Sequence, residues 1–190
     1  MRPGFRMYAM LVAAGFAAAF LLSGLSAATK HTEAELLQEL SSPDEARVYH
    51  ALQELEKEYP DSQEARTRII ALLKDPRERV HRKAARVLGA IGVHLSDAQI
   101  GDVVSLLSSP DKDAVIDGLK ALRGLGNKSA AKSIAPLLKN ADKNIKRDSC
   151  RTLAVLGDKS VIPEIEPLLN DPDKKVQQDA REAIAQLKAK

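Results

Sequence analysis

The chain has 190 residues, 44% hydrophobic and 29% charged, with 29 Lys and Arg against 26 Asp and Glu; this balance excludes a disordered segment and suits one folded domain. A single cysteine excludes a disulfide framework within the chain. A net charge of +3, no Trp, three Phe and three Tyr argue against nucleic acid, which needs a basic surface and stacking aromatics.

Residues 1–28 open as MRPGFR, with Arg2 and Arg6 and no acid, run through the apolar MYAMLVAAGFAAAFLL and end in the small residues SGLSAA. That order reads as a signal peptide cleaved after Ala28, where Ser26 and Ala28 place small side chains at the positions a peptidase must fit. The alternative is an uncleaved membrane anchor over residues 7–28, since a spanning helix needs about 20 apolar residues. The expected localisation is periplasmic or secreted, or membrane-anchored if residues 7–28 stay attached. Removing the leader's two arginines lowers the net charge from +3 to +1, and all three Phe and Tyr8 leave with it. The domain that remains, residues 29–190, must build its core from Leu, Ile, Val and Ala, which suits thin layers of helices.

The first helix is predicted to start at Thr32, which forms a capping box with Glu35. The phrase ELSSP follows at 39–43, and near-copies recur as LLKDP at 72–76, LLSSP at 106–110, LLKNA at 137–141 and LLNDP at 168–172. Their last residues, Pro43, Pro76, Pro110, Ala141 and Pro172, are spaced by 33, 34, 31 and 31. Eight residues beyond each anchor stands a small side chain: Ala51, Ala84, Gly118, Ser149 or Ala180. Twelve beyond stand Leu55, Leu88, Leu122, Leu153 and Ile184, and fifteen beyond Glu58, Ile91, Leu125, Leu156 and Leu187. These intervals keep one face of a helix, and the small residue lets a neighbour come close.

Ser42, Asp75, Ser109, Asn140 and Asp171, each just before an anchor, are predicted N-caps, with proline at the first helical position. Ser42 with Glu45 and Asp75 with Glu78 predict further capping boxes, and Gly92, Gly126 and Gly157 predict left-handed stops. Ahead of each phrase lies a second helical pattern, such as Ile69, Leu72 and Leu73, or Ile134, Leu137 and Leu138; Ser96 with Gln99 caps one of these. The unit is helix, tight turn, helix. Five units predict ten helices and no strand, an all-α solenoid of about five helix pairs, because one pair cannot bury its apolar stripe and a stack can. Glu58-Tyr59 and Leu187-Lys188, which lack the glycine, suit the polar outer sides of terminal units.

The phrase P-D-x-x-V-x-x-x-A-x-x-x-L-x-x-L-G, clearest in DPRERVHRKAARVLGAIG and NADKNIKRDSCRTLAVLGDKSVIPEIEPLL, resembles the HEAT repeat, in the short form shared with bilin-lyase-like proteins. The likeness covers residues 33–188, and the tetratricopeptide and ankyrin patterns are absent. The resemblance implies a solenoid whose second helices line the concave side, used as a binding scaffold; the alternative it implies is a lyase-like enzyme or enzyme accessory. HEAT families often carry an Asp and an Arg that bond along the stack. Here those places read Asp75, Ser109, Asn140 and Asp171, and His81, Val115, Lys146 and Gln177, so a continuous polar ladder is not expected.

Opposite the predicted apolar face of the second helices lie Arg79, Arg82, Arg86 and Gly89, then Lys120 and Arg123, then Arg147 and Arg151. Arg86, Lys120 and Arg151 share one register in three consecutive units. The seven cations form the candidate binding site, a basic row for an acidic protein partner or an anionic envelope polymer. The competing reading is a solvated face, with Asp117 pairing Lys120 and Asp148 pairing Arg151 inside their own helices. No catalytic or metal residue and no cofactor is expected. His31, His50, His81 and His94 lack ligand spacing, and the His-Glu motifs of HEAT-type di-iron hydroxylases are missing. Cys150, near Arg147 and Arg151, has no histidine as its base and reads as a semi-buried hydrophobe, with pairing to a second molecule left open. The expected function is an exported, non-catalytic protein-binding scaffold, with membrane contact only through an uncleaved leader.

Overall fold

Ten α-helices in five consecutive pairs, with no strand, account for the regular structure of the described residues, 31–190, of this computed structural model. The pairs are α1 (Glu33–Glu39) with α2 (Glu45–Glu58), α3 (Gln63–Ala71) with α4 (Glu78–Ala90), α5 (Asp97–Val104) with α6 (Lys112–Leu125), α7 (Ala131–Ile134) with α8 (Lys143–Leu156), and α9 (Ile162–Ile165) with α10 (Lys174–Ala189). The predicted leader, residues 1–28, and its anchor alternative lie outside the described residues. Among those described, no helix is long and apolar enough to cross a membrane.

Thr32 with Glu35 and Ser96 with Gln99 form the expected capping boxes. The second helices, however, begin two residues later than expected. Ser42, Asp75, Ser109, Asn140 and Asp171 do not cap them; each side chain accepts instead from the amide two residues on, at Asp44, Arg77, Asp111, Asp142 and Asp173. This is a side-chain-closed turn with the anchor residue at its centre, so the proline fixes the turn rather than the first helical residue. The caps are the later residues: Asp44, Asp111, Asp142 and Asp173 accept from Ala46, Asp113, Asn144 and Lys175. Arg77, at the same place in the second pair, has no capping oxygen. The boxes expected of Ser42 with Glu45 and Asp75 with Glu78 therefore give way to this arrangement.

At the other end, Gly126 and Gly157 close α6 and α8 at φ 65° and 73°, and Gly92 follows α4 at φ 65°; glycine alone enters that region without strain. Of the first helices, α7 and α9 are the shortest. In α7 and α9 only four residues are α-helical before 3-10 turns carrying Pro136 and Pro167 take over, because proline removes an amide donor and crowds the preceding turn.

Ala51, Ala84, Gly118, Ser149 and Ala180 are all buried, as are Leu55, Leu88, Leu122, Leu153 and Ile184, and one apolar cluster runs through all five pairs. Its buried hydroxyls are satisfied: Ser149 donates to the Ile145 carbonyl at 2.8 Å and Thr152 to the Leu119 carbonyl at 3.1 Å. Successive second helices, α2, α4, α6, α8 and α10, pack against one another far more closely than successive first helices do. The second helices thus form one continuous layer along the stack. At the α4–α6 crossing a Cβ on Gly124 would stand 2.2 Å from the Gly89 carbonyl oxygen, and one on Gly89 would stand 2.8 Å from that of Ala121. Gly89, expected on the outer side of its helix, is buried here, because α4 is covered by two neighbouring second helices as well as by its own partner.

Candidate functional site

All seven predicted cations stand on α4, α6 and α8, but they differ sharply in what they touch. Arg82 is the most committed: Nη2 lies 2.8 Å from Asp117 and Nη1 lies 2.7 Å from Asp111, with the side chain 22% exposed. Burial works against its charge, yet the two carboxylates more than offset that and hold the guanidinium more firmly protonated than usual. Arg147 Nε stands 2.7 Å from Asp179 of α10, and Arg151 reaches the same carboxylate at 3.0 Å. Arg79 turns the other way, 3.5 Å from Glu45 of α2 and 4.7 Å over the Tyr49 ring. Beside it, Lys83 bonds Glu56 at 2.8 Å.

The pairs expected inside single helices, Asp117 with Lys120 and Asp148 with Arg151, are not made. Asp117, Asp148 and Asp179 each stand seven residues after an anchor, on the flank turned toward the preceding repeat. There an arginine of the neighbouring helix lies closer than the lysine or arginine one turn on. The basic row is thus largely a set of inter-repeat ion pairs, a role the sequence reading missed although the recurring aspartate was visible.

Three cations are left with weaker ties. Arg86 stands 3.4 Å from Asp117 and Arg123 stands 3.5 Å from Asp148, and Lys120, exposed, makes no ion pair among the described residues. These three side chains rim an open cleft of ≈ 340 Å³ whose floor is Gly89, Ala90, Ala121 and Gly124. The close α4–α6 crossing is what leaves that floor bare of larger side chains. Chemically the cleft offers one ammonium with no ion pair among the described residues and two partly engaged guanidinium groups, an arrangement suited to a carboxylate.

The remaining polar groups serve the stack. Arg77 bonds Asp75 at 2.7 Å and donates to the Ser42 carbonyl at 3.1 Å, linking the first two turns. Lys146 hydrogen-bonds Asp171, joining the fourth repeat to the fifth. That is one rung of the expected incomplete ladder; Val115, the corresponding place in the third repeat, can form none. Burial pushes the Asp171 carboxyl up, but Lys146 and the Asp173 amide more than offset it and hold it below the usual range. His81 Nε2 sits 3.1 Å from the Asp102 carbonyl, and burial lowers its pKa. Cys150 is fully buried, and burial, with Asp179 nearby, pushes its thiol up to about 12. In the folded chain it is neither a thiolate nor available to a second molecule, which closes the pairing left open in the sequence reading. Among the described residues no His, Cys, Asp and Glu cluster could hold a metal.

The family model for HEAT repeats matches residues 33–115 and again 100–185. No curated protein matches the chain. Among solved structures it is similar to the complex of CpcE and CpcF of phycocyanin lyase from Nostoc sp. PCC7120, with a TM-score of 0.72 at 24% identity, over 89% of this chain and 70% of that one. It is also similar to a designed armadillo repeat protein in complex with the peptide (KR)4, with a TM-score of 0.63 at 16% identity over 80% of each chain. A third likeness, to an archaeal HEAT-like repeats protein from Thermococcus onnurineus NA1, has a TM-score of 0.57 at 20% identity over 83% of this chain and 70% of that one. At these identities the likenesses show the fold alone.

Proposed function

This chain belongs to the HEAT-repeat family, and on that premise we propose that it is an exported, non-catalytic scaffold that holds an acidic segment of a partner protein along the inner face of its second helices. The observation that carries the reading is Lys120, a cation with no ion pair among the described residues, set between Arg86 and Arg123 over a floor of glycine and alanine. A partner carboxylate placed there meets the Lys120 ammonium and the guanidinium groups of Arg86 and Arg123 that line the cleft. Arg79, Arg82 and Arg147 are engaged by carboxylates of neighbouring repeats and hold the stack together rather than the partner.

A non-catalytic role is supported by the chemistry of the groove, whose cations are paired with carboxylates or solvated, and by a buried, protonated Cys150. A lyase-like role remains the alternative; the likeness to the phycocyanin lyase complex carries the fold and not that chemistry. Export rests on the leader pattern of residues 1–28.

The test is a fluorescence-anisotropy titration of a labelled hexaglutamate peptide, at low salt and at about 0.15 M, where screening falls to about 8 Å. Saturable binding that weakens with salt, and weakens about tenfold or more when Arg86, Lys120 and Arg123 are replaced by Ser, is expected. Equal binding by that variant, or none by either protein, would reject the reading.

A further inference from the structure

We infer that the groove reads two features of one extended partner segment: an acidic side chain in the α4–α6 cleft and an aliphatic side chain about six positions along, in a second cleft along α8 and α10. The inference rests on the acidic-segment reading above.

The residues fourteen after each anchor run along the groove in one register: Lys57, Ala90, Gly124, Val155 and Gln186. In the first cleft that row gives the bare floor at Ala90 and Gly124. In the second it gives Val155, 43% exposed, the one large aliphatic side chain left open to water among the described residues. Val155 lies in a recess with Ala154 and Ala183, bounded by Arg151 and Glu182. Arg123 borders both clefts, so they adjoin.

The second cleft differs from the first in charge as well as in shape. Asp179 already neutralises Arg151, and Glu182, in the register of Arg86 and Lys120, adds a carboxylate held at 2.9 Å by Gln178. Its lining sets two carboxylates against two cations, where the first cleft is lined by three cations and no carboxylate, so an acidic residue of the partner is favoured in the first cleft and not in the second. Lys190 donates to the Ala154 and Val155 carbonyls at 3.0 Å and 2.6 Å, so the backbone at this end of α8 is satisfied and the side chain is what a partner meets. An aliphatic residue fits, because covering Val155 removes its apolar surface from water.

Spacing follows from packing. Neighbouring helices lie about 8 to 10 Å apart, so the two clefts, two helix spacings apart, are separated by about 16 to 20 Å. An extended chain rises about 3.3 Å per residue and turns alternate side chains to opposite faces, so two side chains entering the same groove stand about six positions apart, with about five residues between them. A polyanion without apolar groups satisfies only the first cleft.

Labelled peptides carrying one Glu pair and one Leu, separated by two, five or ten residues, together with a Glu-only peptide and dextran sulfate, test this against the full chain. The five-residue peptide is expected to bind about tenfold more tightly than the Glu-only peptide, and Val155→Asp is expected to remove that gain while leaving Glu-only binding unchanged. Val155→Ser, which adds no charge, is expected to act in the same direction. Equal affinity at every spacing, or dextran sulfate binding that exceeds all peptides and ignores Val155→Asp, overturns the two-feature inference while the acidic-segment reading stands. Failure of the Glu-only peptide to bind at all removes both.

Discussion

Arg82 of α4 and Asp117 of α6 are thirty-five residues apart in sequence, yet Nη2 and Oδ2 meet at 2.8 Å across the boundary between the second and third repeats. The relationship recurs two repeats further on, where Arg147 of α8 meets Asp179 of α10 at 2.7 Å. In a molecule whose repeats touch only their neighbours, such pairs couple one unit to the next.

Asp117→Ala leaves Arg86 without its partner and Arg82 with Asp111 alone. Both ends of the Arg82–Asp117 pair keep some contact with water, at 22% and 16% exposure, so the cost falls below that of a fully buried pair, at about 1 to 3 kcal/mol. Lys112→Ala, on the exposed start of α6, is expected to change stability by less than about 0.5 kcal/mol. Urea denaturation of both variants distinguishes an inter-repeat bond from surface decoration.

Two glycines have opposite expectations. Gly124→Ala forces a methyl group against the Gly89 backbone, where no flexible side chain can yield, and is expected to destabilise by about 1 to 3 kcal/mol. Gly101→Ala, inside α5 with open space around it, is expected to stabilise by about 0.4 to 1 kcal/mol. Thermal melts of the pair check whether the α4–α6 crossing is as close as described.

The hydrogen bond from Arg77 holds the Asp75 carboxyl below the usual carboxylate range, and burial opposes this less strongly. The unfolded carboxyl titrates near about 3.9, so the folded state keeps its charge to lower pH than the unfolded chain does. That stability is present above about pH 4 and is lost as pH falls through the folded value; Asp171, beside Lys146, adds in the same direction. Unfolding free energy measured from about pH 6 to pH 2 is expected to fall less steeply in Asp75→Asn and Asp171→Asn than in the unaltered chain. Parallel curves would remove these carboxylates from the account.

Cys150 is expected to resist thiol reagents at about pH 8 in the native state and to react fully in denaturant, since its side chain is buried and its thiol raised to about 12. Rapid labelling of the native chain would contradict its placement in the core.

The periodic part of this fold was legible in the sequence because each repeat restates it. The small residue eight after each anchor, the leucine twelve after it and the glycine stops are set by contacts inside a repeat or with an identical neighbour. The caps were misplaced by two residues because Ser42, Asp75, Ser109, Asn140 and Asp171 satisfy two local motifs equally well by composition. Only the chain path decides between capping a helix and closing the turn before it. The ion pairs were misassigned for a different reason. Asp117 has Lys120 one turn away on its own helix, and preferring Arg82 requires the offset between repeats, which no single repeat encodes. Val155 gave no signal at all, since an aliphatic residue beside Leu153 and Leu156 looks like core.

The central claim is a division of labour among cations that look alike in sequence, and two single substitutions separate it. Lys120→Ser is expected to weaken hexaglutamate binding about tenfold with an unchanged melting temperature, whereas Arg82→Gln is expected to lower the melting temperature and leave the affinity of the folded chain unchanged. Peptide titration and thermal melting of both variants under one buffer give the answer. Native affinity in Lys120→Ser, or lost affinity in a fully folded Arg82→Gln, would contradict it.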